Sequence, residues 1–395
     1  MTGPSPAPLA EKADIVRGVT FSKADAVGEP RDGYSPVLRA GNIQGQLILD
    51  HGLVFVPESK ISEKQRLRCG DIVMCTSSGS TEIVGKTAYS EKDWDGSFGA
   101  FCAVVRPKEG QCHPRYLFHY LQSPKFRDWT RNSSGAGIKN IRKSELDAVE
   151  IPFPNIDEQR RIARILDKAE AIRRKREQAL ELADEFLKSV FLEMFGDPLI
   201  NSKSLPTKPL SDFGKIVTGN TPPRANPRNY GNHIEWIKSD NINTPEHLLT
   251  KSSEHLSKEG MELARTVPAG SILVICIAGS PSSIGKVAIA DRDVALNQQI
   301  NAITPNADVD QFFLYSQFLV GQRLIQSAST QSMKGMVSKG KFKEIEFLAP
   351  EPEEQQEFGR IFKKSLHNNN ILREAHQNSH NLFASLSQRA FQGKL

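Results

Sequence analysis

The chain is written twice. Gly70 opens GDIVMCTSSGSTEIVGKTA and Gly270 opens GSILVICIAGSPSSIGKVA, an offset of 200 that Gly85-Lys86 and Gly285-Lys286 repeat. Upstream, VLRAGNI from Val37 resembles WIKSDNI from Trp236 at an offset of 199. Downstream, Glu158-Gln159 matches Glu354-Gln355 and Ser189-Val190 matches Ser385-Leu386, both at 196. A register held over nearly all of the 395 residues with so few insertions is the mark of one plan used twice.

Each copy has a globular segment, 1–153 and 198–350, followed by a long helical pattern, 154–197 and 351–395. Inside the globular segments, β-branched runs such as DIVMC, FCAVV, SILVICI and VAIA sit between turn residues. Helical stretches such as PRYLFHYLQSPKFRDWT are interspersed, so the class is α+β.

The helix after the first globular segment carries a heptad. Ile162, Ala169, Ala183 and Val190 fall at multiples of seven, with Arg176 alone breaking the row. Ile165, Ile172, Ala179 and Phe186 hold the positions three residues on, and Leu166, Leu180, Leu187 and Met194 widen the stripe. Pro154 and the acidic first turn mark the start, Gly196 and Pro198 the stop. The second helix keeps the register with Phe358, Leu372 and Leu386, then Ile361, Ala375 and Leu382, but places Ser365, Asn368 and Ser379 on its stripe. At 1.5 Å per residue each helix spans about 60 Å. One such helix cannot bury its stripe against one small domain, whereas two can pair. Because the second globular segment lies between them in sequence, the second helix can return antiparallel. The expected architecture is two similar globular domains separated by two long antiparallel coiled-coil helices, with a pseudo-two-fold internal duplication.

Composition excludes more than it selects. Hydrophobic residues make up 38% and charged residues 25%, an ordinary soluble balance. The N-terminal MTGPSPAPLAEKAD has neither a basic region nor an apolar core, and the longest apolar run, SILVICIAG, is half a membrane span. The five cysteines form no CxxC, and His113 and His119 lack partners at metal-ligand spacing. These features point to a cytoplasmic chain without a membrane or metal. The net charge of +5 permits nucleic acid without demanding it.

EQRRIARILDKAEAIRRKREQALELADEFLKSVFLEMFGDP, from Glu158, closely resembles the central conserved region of the specificity (S) subunits of type I restriction–modification systems. The helix openings with Glu-Gln after both globular segments, and the strand-turn pairs from Gly70 and Gly270 to their Gly-Lys, resemble that family too. Through the duplication the likeness covers the whole chain. It implies that 1–153 and 198–350 are target-recognition domains, each reading one half of a bipartite, asymmetric double-stranded DNA sequence. The helices would set the unread spacer and dock two methyltransferase (M) subunits, joined by restriction (R) subunits. The chain itself would be non-catalytic and cofactor-free, with S-adenosylmethionine, ATP and magnesium belonging to the partner subunits.

Three places offer DNA contacts. In the turns after Gly70 and Gly270, Ser77, Ser78, Ser80, Ser282 and Ser283 allow close approach to phosphates, and Lys86 and Lys286 add charge. The same residues would serve an ordinary strand-linking turn. A phosphate-binding P-loop is excluded there by five residues between Gly79 and Gly85, and in GMVSKGKF by Phe342 where a hydroxyl is needed. Before each long helix lie basic loops, with Lys139, Asn140, Arg142 and Lys143 in one and Gln331, Lys334, Lys339 and Lys341 in the other. A solvated loop is the alternative. Third, Arg39, Asn42, Lys238 and Asn241 are base-reading types near strand ends, although asparagine also serves turns. The rival to a DNA reader is a coiled-coil interaction scaffold with two protein-binding heads. An enzyme is disfavoured because no methyl-donor, Asn-Pro-Pro-aromatic or HExxH run is present.

Overall fold

A computed structural model describes residues 5–80, 82–132, 139–242, 247–330 and 335–395, with the side chains of Asn132 and Lys139 left outside that description. The chain divides into two compact units, one formed by residues up to Glu177 together with Glu374–Leu395, the other by Gln178–Arg373. The central helix runs Ile156–Phe195 and the C-terminal helix Pro352–Phe391, so each unit holds one globular segment and a portion of both helices.

Both units are built on one sheet order. In the first, the antiparallel sheet runs Ala13–Arg17, Cys102–Pro107, Ile72–Cys75, Thr87–Tyr89; in the second, Gly214–Thr218, Ile300–Pro305, Ile272–Ile275, Val287–Ile289. The middle strands, Ile72–Cys75 and Ile272–Ile275, are fully buried, which is why they read as unbroken apolar runs. A smaller mixed sheet follows in each, and short pairs, Pro6–Pro8 with Glu150–Pro152 and Thr207–Pro209 with Glu346–Leu348, bring the ends of each segment together.

Divergence between the copies is visible in their buried polar pairs. Asp71 is 1% exposed and accepts from Arg106 Nε and Nη2, both at 2.7 Å. At the same place in the second unit, Ser271 Oγ and Thr304 Oγ1 share a hydrogen bond of 2.8 Å. The recurring Glu-Gln also has a structural explanation. Gln159 donates to the Pro154 carbonyl at 2.8 Å and accepts the His113 N–H at 2.8 Å. Gln355 repeats this with the Pro350 carbonyl (2.8 Å) and the Asp310 N–H (3.3 Å). Each glutamine thereby ties the start of a long helix to the start of a helix in its own globular segment, Pro114–Gln122 in the first and Gln311–Val320 in the second.

Within each unit the two helix portions run antiparallel. In the first, Ile162, Ala163 and Leu166 pack with Ala390 and Leu386, while Arg176 donates to the Ala375 carbonyl. In the second, Phe191 and Phe195 meet Phe358, and Asp184 accepts from Asn369 at 3.4 Å. The heptad expectation needs one correction. Ile162 and Ala169 are buried as the first row requires, but Ile172 is 47% and Phe186 53% exposed. A single partner helix covers a seam narrower than the apolar stripe, and the row three residues on falls partly outside it.

The basic run Arg173–Arg176 is engaged within the fold. Burial opposes ionisation of Glu170, yet hydrogen bonds from Arg173 (2.9 Å) and Arg174 (2.8 Å) hold its carboxyl below the usual carboxylate range. All five cysteines are unpaired, and burial pushes the Cys102, Cys112 and Cys276 thiols up to about 12, so they behave as small apolar side chains. No described helix is long and apolar enough to cross a membrane.

Candidate nucleic-acid interface

The strongest shared feature is a two-residue antiparallel strand pair held by an identical backbone frame in each unit. In the first, Ser77 and Ser78 pair with Asn140 and Lys139. The Phe101 carbonyl accepts the N–H groups of Thr76 (2.9 Å) and Ser77 (3.1 Å), and the Ile141 N–H donates to the Thr76 carbonyl at 2.8 Å. In the second, Ile277 and Ala278 pair with Met336 and Gly335. There the Gln299 carbonyl accepts from Cys276 (2.8 Å) and Ile277 (3.1 Å), and the Val337 N–H donates to the Cys276 carbonyl at 2.8 Å.

The turns beyond these strands close on Gly85 and Gly285, both at φ +79°. A Cβ at Gly85 would lie 2.6 Å from Thr130 Cγ2, and one at Gly285 would lie 2.9 Å from Gln322 Cγ. The glycine of each Gly-Lys pair is therefore demanded by the backbone and by its neighbour. Arg127 also serves this turn, donating to the Val84 and Glu82 carbonyls at 3.1 and 3.0 Å.

Around the first strand pair the structure gathers several of the expected residues and adds others. Ser77, Asn140 and Lys143 line a cleft of about 170 Å³ together with Arg17 and Phe101. Asn140 and Arg142 are exposed, and Arg142 immediately precedes the short helix Lys143–Asp147. Lys143 forms a helical ion pair with Asp147 at 2.8 Å, a partly exposed contact that a phosphate can replace at small cost. Ser80 and Lys86 are exposed but do not line this cleft. The strand position of Lys139 pairs it with Ser78.

In the second unit, Lys339 and Lys341 are exposed on the short helix Lys339–Lys343, which buried Phe342 anchors and Ser338 caps at 3.3 Å. Ser282 is exposed and shares a 2.8 Å hydrogen bond with Ser280; Ser283 and Lys286 are half-buried. Lys286 lines a separate cavity with His247 and Gln322, unlike exposed Lys86. Gln331 and Lys334 lie outside the described residues, as do residues 133–138 of the first basic loop.

Three expected contacts are corrected. Asn42 is 3% exposed: its Oδ1 accepts the Arg39 N–H (2.9 Å) and its Nδ2 donates to the Ile48 and His51 carbonyls (3.2 and 2.9 Å). Asn241 is 6% exposed and repeats the pattern with the Lys238 N–H (3.0 Å), Thr250 Oγ1 (3.3 Å) and the Lys251 carbonyl (3.2 Å). Lys238 is ion-paired with Glu254 and lies 5.3 Å from the Trp236 ring centroid. The two asparagines close turns by bonding backbone groups within them, and the lysine is held by an acid. Arg39 remains exposed, with one long hydrogen bond to the Gly52 carbonyl at 3.4 Å. Asn42→Ala is expected to destabilise the first unit by about 1–3 kcal/mol while leaving the recognised DNA sequence unchanged. Thermal unfolding and a methylation map would check this; an altered target with intact stability would contradict it.

Sequence reading missed Arg17, Phe101, Ile277, Gln299 and Met336. The duplication offset could have paired Phe101 with Gln299, but an isolated phenylalanine before an apolar strand reads as core.

The family model described as the type I restriction modification DNA specificity domain matches residues 9–182 and again 204–379. The chain belongs to that family. The type I restriction enzyme StySPI specificity subunit of Salmonella potsdam is 27% identical over 98% of this chain and 88% of its own length. The EcoKI specificity subunit of Escherichia coli is 39% identical over a shorter stretch, 41% of this chain and 35% of its own. Among solved structures, the type I restriction–modification S subunit from M. genitalium shares the fold at a TM-score of 0.61, with 14% identity and 99% of both chains covered. A chain from a structure concerned with assembly of the type I system gives 0.58 over 100% of this chain and 98% of that one, at 17% identity. The two family matches fall one on each copy of the duplicated plan. The scaffold alternative is accordingly not favoured.

Proposed function

We propose that this chain is the sequence-specific DNA-recognition subunit of a type I restriction–modification complex, each globular segment reading one half of a bipartite target. The observation that carries this reading is the strand-pair frame, repeated in both units and followed in each by exposed basic residues, Arg142 in one and Lys339 and Lys341 in the other. Phosphate contacts from such cations position a reader, and groups on the strand pair select bases.

In this reading the helices set the number of unread base pairs and dock the methyltransferase subunits. Exposed apolar side chains on both helices, Ile172 and Leu382 in the first unit and Leu182, Phe186 and Ile371 in the second, support a protein partner there. Catalysis, with S-adenosylmethionine, ATP and magnesium, belongs to the methyltransferase and restriction subunits, and the assembly works in the cytoplasm.

The test is a base-resolution map of adenine methylation in cells expressing the chain with its methyltransferase subunit, against cells lacking only the chain. A bipartite motif present only with the chain is expected. An unchanged methylome, with the complex assembled and the methyltransferase active, would overturn the reading.

A further inference from the structure

The two strand-pair frames share one backbone hydrogen-bond pattern and differ in what they display. The same three places carry Ser77, Phe101 and Asn140 in the first unit, and Ile277, Gln299 and Met336 in the second. Polar and apolar positions are thus exchanged on one scaffold. Phe101 is 68% exposed, although its carbonyl is clamped by the Thr76 and Ser77 N–H groups and by Thr76 Oγ1 at 3.2 Å. A single exposed aromatic means little alone. This one stands in a cleft where Arg17, Lys143, Ser77 and the amide of Asn140 join apolar residues such as Ile15 and Leu146, so polar and cationic groups lie beside the ring.

We propose that Phe101 is a specificity-determining residue that takes the 5-methyl group of a thymine in the major groove, beside base edges bonded by Asn140 and Ser77. Thymine alone among the four bases presents a methyl group there, and phenylalanine is one of the side chains suited to it. Asparagine on the adjacent strand pair suits adenine N6 and N7. The bonds to the Phe101 carbonyl fix the point of the backbone from which the ring projects. In the second unit the ring's place is taken by Gln299, whose Oε1 accepts from Asn297 Nδ2 at 3.0 Å, and the strand pair carries the apolar Ile277 and Met336, so that unit displays a different set of groups. The assignment rests on the DNA-recognition reading above.

The test uses the chain assembled with its methyltransferase subunits, titrated with duplexes in which each thymine of the first unit's half-site is replaced singly by deoxyuridine. That half-site is the one left unchanged when residues 198–350 are exchanged for those of another family member. The wild type should lose about fourfold in affinity at one thymine, the worth of one buried methyl group, and Phe101→Ala should bind both duplexes equally. Phe101→Gln, carrying the residue type of the second unit, should also be indifferent to the methyl group, so failure of one variant to assemble leaves the other to decide. Discrimination of the second half-site should persist in both variants.

A wild type that binds its site but tolerates deoxyuridine everywhere would overturn the assignment of Phe101 alone. So would a variant that keeps the thymine preference, or one that weakens binding to every duplex equally. Absence of any half-site-specific binding by the wild type would bring down the recognition reading itself.

Discussion

Phe191→Ala is expected to lower the unfolding temperature of the second unit by roughly 10 °C, from a loss of about 3–5 kcal/mol. Phe191 has no exposed surface and lies 5.2 Å from the Phe195 ring, 5.9 Å from Phe313 and 5.5 Å edge-on from Phe358. These three partners come from both long helices and from the helix Gln311–Val320, so truncation opens a cavity where three elements meet. The surrounding rings are rigid and collapse poorly into such a space. Calorimetry should show the effect in the transition of the second unit, with the first unit little changed because its core is a separate cluster around Tyr116, Leu117 and Phe126. A shift below about 3 °C would mean that the helix portion is not part of the second unit's core.

The second large effect concerns the helices as a spacer. Inserting four residues after Glu177 and four after Arg373 adds about 6 Å to each helix, close to the rise of two base pairs at about 3.4 Å each. The two insertion points lie opposite one another, since Arg176 donates to the Ala375 carbonyl, so paired insertion keeps the antiparallel seam in register. The methylome of the altered chain should retain both half-sites with one or two more unread base pairs between them, and methylation of the original site should fall more than tenfold. Inserting into the central helix alone puts the helix portions beyond Glu177 out of step with the unlengthened C-terminal helix and should instead impair assembly. Changed half-sites with an unchanged gap would refute the spacer role.

These expectations use information of different origins. Duplication, the α+β plan and both helices were legible because they rest on local or repeated signals. Asn155 caps the central helix through the Glu158 N–H at 2.9 Å, and Gly196, at φ +77°, ends it. Such signals act between neighbours in sequence, so the residue order is sufficient to state them. The Glu-Gln repeat was equally visible, but its purpose was not, because the His113 N–H that meets Gln159 lies 46 residues away.

The candidate site divides the same way. Ser77, Asn140 and Arg142 could be named from sequence because the small-residue turn and the Gly-rich basic loop that hold them each have a counterpart in the second half. Asn42, Asn241 and Lys238 bear the same chemistry on paper, and only the folded chain shows them closing turns or paired with an acid. Phe101 is the reverse case: its apolar side chain predicts burial, while its position beside the strand pair leaves it exposed. By itself the sequence determined the two copies, their elements and the helix ends, since periodicity and capping are short-range. Tertiary structure alone decided which polar groups remain available and which apolar ring does not reach a core. Those outcomes depend on partners distant in sequence, and a side chain's freedom is set by whether such a partner has claimed it.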